Sequence, residues 1–128
     1  MHSGTTTSYL QVIDTAWFWL AWAIIGNAGG NVLMKVAAKD GASFFEVYFS
    51  PSFLAGAALF GAGLMCYMRA LGNMSLAVAY LSVVGLSIVA ITAMAMVLFG
   101  ERLSAANLVG VLLIFAGVVL LTRNGAMV

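Results

Sequence analysis

Hydrophobic positions fill four long blocks of the chain, near Thr15–Ala38, Pro51–Leu71, Leu76–Phe99 and Ala105–Thr122, separated by short breaks with charges, Gly or Asn. A membrane-crossing helix needs about 20 mainly apolar residues, and each block has that length. The pattern therefore predicts four transmembrane helices and an all-α integral membrane protein. The expected organisation is a polar N-terminal tail over 1–14, a four-helix transmembrane domain over 15–122 and a short tail over 123–128.

The first block breaks its own apolar rule. Asn27, Asn31 and Lys35 recur at i, i+4 and i+8, which puts them on one helix face. Polar groups at membrane depth are costly, so that face is expected to line a site or a helix contact. Trp17, Trp19 and Trp22 open the block in the manner of an interfacial aromatic belt. Gly26, Gly29 and Gly30 leave room beside the polar ladder for a backbone or a ligand. In the second block Gly56 and Gly63 form a small-residue surface suited to close helix packing. The third holds Tyr80, Ser82, Ser87 and Thr92 as its polar groups. The fourth sets Gly110 and Gly117 on one face, a spacing that lipid alone would not require.

Between the first two blocks, Ser43 to Ser50 is aromatic but too short to cross. Phe44, Phe45, Tyr48 and Phe49 suit the membrane surface, with Glu46 in water and Pro51 starting the next helix.

Composition strengthens this reading: 64% of residues are hydrophobic, 7% are charged, and there is a single proline. Mean hydropathy is +1.11, well inside the membrane class. The N-terminal segment to Asp14 carries no Lys or Arg and the apolar stretch after it is too long for a cleaved signal, so the first block is expected in the mature protein. Four spans would place Arg69 and Arg123 on one side and Lys35, Lys39 and Arg102 on the other. So small a bias selects no topology and is compatible with dual insertion.

Candidate chemistry is sparse. Cys66 is the only cysteine and reads as a small apolar residue, which excludes disulfides within the chain and thiolate metal clusters. No paired carboxylates, Ser/His/Asp set, phosphate-cradling loop or basic nucleic-acid patch occurs, so no catalytic residue, metal ligand, cofactor or nucleic-acid partner is expected. His2 lies in the polar tail, and the eight methionines read as packing. Glu101-Arg102 reads as a turn with a helix-start acid and a membrane-surface cation, or as half of a gating salt bridge.

The run Ala23 to Lys35, the Ala77-Val-Ala-Tyr80 start of the third block, the Phe99-Gly-Glu-Arg-Leu103 turn and the Gly110/Gly117 helix together resemble the small multidrug resistance transporters. These are four-helix members of the drug/metabolite transporter superfamily. The resemblance covers about residues 16–122. It implies two paired copies, commonly antiparallel, a substrate chamber built by the first three helices, and dimer contacts through Gly110 and Gly117. The chain also departs from the drug exporters. Their membrane-embedded glutamate aligns with Asn27, which carries no titratable proton, and their helix-three tryptophan aligns with Val83.

What remains resembles the short flippase-like proteins related to the aminoarabinose-phosphoundecaprenol flippase subunits, through the aromatic first loop into Ser50-Pro-Ser-Phe-Leu54, Tyr80-Leu-Ser82 and the Gly-Glu-Arg-Leu turn. That likeness implies inner-membrane translocation of a lipid-linked sugar, with Asn27, Asn31, Lys35, Tyr80 and Ser82 as the substrate site. Lys35 reads either as a phosphate ligand or as an anchor snorkelling to the surface. Arg69 could join it only from an antiparallel partner. Two alternatives stand beside this one: a small-molecule exporter with altered coupling, and a noncatalytic partner of a membrane glycosyltransferase or of a four-helix paralogue. The expected partners are thus membrane lipid, an amphiphilic substrate, and a second copy or paralogue.

Overall fold

The computed structural model describes the backbone of residues 3–125 and the side chains of residues 11, 12 and 14–124, so His2 lies outside the described residues. Five helices follow one another: α1 (Ser3–Asp40), α2 (Phe44–Tyr48), α3 (Pro51–Leu71), α4 (Leu76–Phe99) and α5 (Ala105–Gly125). Among the described residues there is no strand. α3 and α4 begin and end where the apolar pattern placed them. α1 is longer than its apolar block, since the segment read as a polar tail is helical from Ser3 onward and continuous with it.

Local chemistry sets the boundaries. Pro51 occupies the first turn of α3, where its missing N–H has no partner to lose, and the Ser50 hydroxyl accepts from the Phe53 N–H at 3.1 Å. Ser75 and Ser104 cap α4 and α5 in the same way, accepting from Val78 and Asn107. Gly100 ends α4 with φ +64°, a conformation that residues with a Cβ rarely adopt. In α2 the Glu46 carboxylate turns back to accept from the N–H groups of Ala42 and Ser43 at 2.9 and 3.0 Å. That bond leaves the aromatic face of α2 outward. Phe44, Phe45, Tyr48 and Phe49 are all exposed.

Packing centres on α1. At one end, Ala16, Leu20 and Ala23 meet Ala70, Met74, Val78, Ala79 and Val83 in a small apolar core. Further along, α1 and α3 run antiparallel with their backbones close together. A Cβ on Gly26 would lie 2.7 Å from Gly63 Cα, and one on Gly30 would lie 3.1 Å from Gly56 O. The Gly56/Gly63 face therefore packs tightly against a neighbouring helix, as its small residues predict. α4 runs alongside α1 in the same direction, whereas among the described residues α5 packs on α4 alone. Gly85 receives Val118 in that contact, and Val118 is the one buried hydrophobic side chain among the described residues of α5.

Among the described residues three helices are long and apolar enough to cross a membrane: α3, α4 and Ala105–Asn124 of α5. The described part of α1 does not reach that hydropathy. Its tryptophans, asparagines and glycines dilute the apolar stretch, and several of those polar and small residues face α3 instead of lipid.

Candidate functional site

A pocket of about 280 Å³ opens between α1, α3 and α4, beside the Gly26/Gly63 end of the glycine seam. α1 contributes Ala23 and Asn27, α3 contributes Phe60, Gly63, Leu64 and Tyr67, and α4 contributes Tyr80, Val83 and Val84. Gly63 brings α3 close to the α1 backbone, where an added Cβ would lie 3.2 Å from Ala23 O and 3.3 Å from Asn27 N, and both Gly63 and Asn27 border the pocket beside that contact.

The lining is apolar apart from one carboxamide and two phenols. No Asp, Glu, Lys, Arg or His lines it. Tyr80 is more than half exposed and stands at the rim, while Tyr67 is half-buried. Such a site can hold a group by neutral hydrogen bonds and ring contacts, and it offers no charge for an ion.

Of the residues expected to bind substrate, the structure brings Asn27 and Tyr80 together. Asn31 lies one turn from the pocket, and its Nδ2 donates to Asn27 O at 2.8 Å and to Asn27 Oδ1 at 3.2 Å. Lys35 lies elsewhere. Its ammonium pairs with the Glu101 carboxylate, 4.7 Å from the centroid of the Phe99 ring, and Lys39 approaches the same ring at 5.1 Å. Lys35 is thus already partnered, two helical turns along α1 from Asn27. Glu101 correspondingly is no helix-start acid. α5 begins at Ala105 under its Ser104 cap, and the carboxylate ties the α4–α5 turn to α1.

Ser82 does not line the pocket either. It is fully buried, and its hydroxyl finds no hydrogen-bond partner, as is also true of Ser87. α4 turns it away from the face that carries Tyr80 and Val83. Gly110 and Gly117 lie open, since a side chain at either would meet nothing within 4 Å. Gly117 also borders an apolar groove between α4 and α5.

Sequence reasoning missed Tyr67, Phe60 and Leu64. Tyr67 carried a usable signal, because a phenol in an otherwise Gly/Ala/Leu-rich span needs a polar outlet. Among the described residues no group of three or more His, Cys, Asp or Glu side chains can hold a metal ion.

A family model described as Small Multidrug Resistance protein matches residues 15–114, and this chain belongs to that family of membrane transporters. The uncharacterized protein y4nH of Sinorhizobium fredii (strain NBRC 101917 / NGR234) is 25% identical over 99 residues, covering 75% of this chain and 85% of that protein. No solved structure matches the chain. The matched segment takes in every residue of the pocket and the Lys35–Glu101 pair.

Proposed function

We propose that this transporter translocates an amphiphile across a bacterial-type inner membrane and that the pocket holds the uncharged, oxygen-rich part of its head, such as the sugar of a lipid-linked glycan. The observation that carries this reading is the pocket itself, whose only polar groups are Asn27, Tyr67 and Tyr80. Carboxamides and phenols match hydroxyls and ring oxygens well. They offer nothing to balance a permanent cation beyond the faces of two phenol rings. The acyl or isoprenoid part stays in lipid beside Leu64 and Val84.

In this reading α1 crosses the membrane as the fourth span, because it lies against α3 from Ala16 to Met34 and so shares its depth. Two copies, or one copy and a four-helix paralogue, pair through the open Gly110/Gly117 face. Family members commonly act as dimers, and α5 offers little buried surface within one copy. Substrate supply or a partner's chemistry drives net movement. All four acids, Asp14, Asp40, Glu46 and Glu101, lie outside the apolar stretches, so the pocket has no carboxylate through which to exchange a proton.

The family assignment favours a second reading, an exporter of small amphiphilic molecules with altered coupling. Proteoliposomes separate the two. The proposal predicts that a polyprenyl-phosphosugar added to one leaflet becomes accessible on the other at a rate well above protein-free vesicles, and that ethidium is not accumulated under a pH gradient. Ethidium accumulation without headgroup translocation would replace it with the exporter.

A further inference from the structure

The two asparagines fix each other's amides, and the order in which they do so determines what the pocket presents. A backbone carbonyl can only accept a hydrogen bond. The atom of Asn31 that faces Asn27 O at 2.8 Å must therefore be the NH2 group, which settles the orientation of the Asn31 amide. The same nitrogen lies 3.2 Å from the Asn27 side chain, and a donor there requires Asn27 to turn its Oδ1 toward it. That bond turns Oδ1 toward Asn31 and takes one of its lone pairs, which leaves both N–H bonds of the Asn27 NH2 group as the donors it can offer a ligand. Among the described residues nothing else accepts from that NH2.

We infer that Asn31 is a positioning residue that makes Asn27 a hydrogen-bond donor, so that the site selects substrates by an acceptor oxygen: an ether, carbonyl, hydroxyl or phosphoryl oxygen at the polar end of the amphiphile. This rests on the pocket being the substrate site. It reverses the polarity that a membrane-embedded carboxylate would give, because a carboxylate only accepts. Tyr67 and Tyr80 fit the same logic, since each phenol can donate to a second oxygen of the group that Asn27 holds.

The test uses two probes of equal chain length and similar head size, octyldimethylamine N-oxide, which offers an acceptor oxygen, and octyltrimethylammonium, which offers none. Their dissociation constants are measured on the full chain in lipid nanodiscs, for wild type, Asn27→Leu and Asn31→Leu. Asn31→Leu frees the Asn27 amide to rotate, so the preference for the N-oxide over the ammonium should fall roughly three- to tenfold, the worth of one net hydrogen bond. Attraction of the ammonium to the tyrosine rings is common to both proteins and cancels in that comparison. In wild type, the side-chain amide protons of Asn27 should shift in nuclear magnetic resonance spectra when the N-oxide binds, a readout that does not depend on how well either variant folds. An unchanged ratio in well-folded Asn31→Leu, or Asn27 amide protons that ignore the N-oxide, would overturn the inference while leaving the pocket in place. If Asn27→Leu binds both probes as wild type does, the pocket reading itself falls.

Discussion

The glycine seam between α1 and α3 yields a graded prediction about stability. Carbon atoms pack without strain at about 3.5–4.0 Å. A Cβ on Gly61 would meet nothing within 4 Å, one on Gly63 would lie 3.1 Å from Gly26 Cα and 3.2 Å from Ala23 O, and one on Gly26 would lie 2.7 Å from Gly63 Cα and 2.8 Å from Leu59 O. The nearest neighbours of that Cβ, Gly63 Cα and N and Leu59 O, are all backbone atoms with no rotamer to yield, so Gly26→Ala must push the helices apart by about 1 Å. Overpacking of this kind typically costs about 1–3 kcal/mol. Alanine also favours the helix over glycine by roughly 0.5–1 kcal/mol, and this gain is common to the whole series. The expected order of stability is therefore Gly61→Ala above Gly63→Ala above Gly26→Ala, with about 1–3 kcal/mol between the first and last. Reversible unfolding in mixed micelles, followed by the fluorescence of Trp17, Trp19 and Trp22, measures it directly. Equal stabilities for Gly26→Ala and Gly61→Ala would show that the two backbones do not approach as closely as described, and the pocket beside them would lose its geometry.

Further predictions test the remaining features. Transport by wild type should show no pH step traceable to a carboxylate in α1 between pH values of about 5 and 9, whereas Asn27→Glu should introduce one; a step in wild type that Asn27→Ala removes would refute this. Gly110→Leu/Gly117→Leu should weaken crosslinking between copies in native membranes, and crosslinking equal to wild type would remove α5 from the dimer contact. Lys35→Met should cost only about 0.2–1 kcal/mol of stability, because its ion pair with Glu101 is about two-fifths exposed, and the reversed pair Lys35→Glu/Glu101→Lys should restore it. Headgroup translocation by well-inserted Lys35→Met at less than a tenth of the wild-type rate would instead make Lys35 a substrate ligand.

Much of the fold was legible because its signals are local. Pro51 after Ser50, Ser75 before an apolar run and Gly100 after one mark helix ends by chemistry that needs no tertiary context. The Gly56/Gly63 face declared a close contact, although the sequence does not say that α1 supplies it. The site was only half legible. Asn27 stood out because an amide is costly among apolar residues, and Tyr80 came from the family likeness. Lys35 shares a helical face with Asn27, yet its partner Glu101 is remote in sequence and meets it only because α1 and α4 run in the same direction. Ser82 sits two residues from Tyr80, and in a helix that spacing turns it to another side. Tyr67 reaches the pocket through the rotation of α3 about its axis, which the Gly26/Gly63 contact sets. The helical extension of α1 back to Ser3 had no hydrophobic signal, since Thr5 to Ser8 read as a polar tail.

The central claim is that Asn27 and its tyrosine neighbours hold the polar part of an amphiphile while it crosses. Translocation of a polyprenyl-phosphosugar in proteoliposomes, compared between wild type and Asn27→Leu at equal insertion, tests it most directly. Loss of one hydrogen bond that also leaves its buried partner unsatisfied costs about 1–3 kcal/mol, so the rate should fall about 5- to 150-fold. Wild-type rates from correctly inserted Asn27→Leu protein would contradict the claim and move the substrate path away from this pocket.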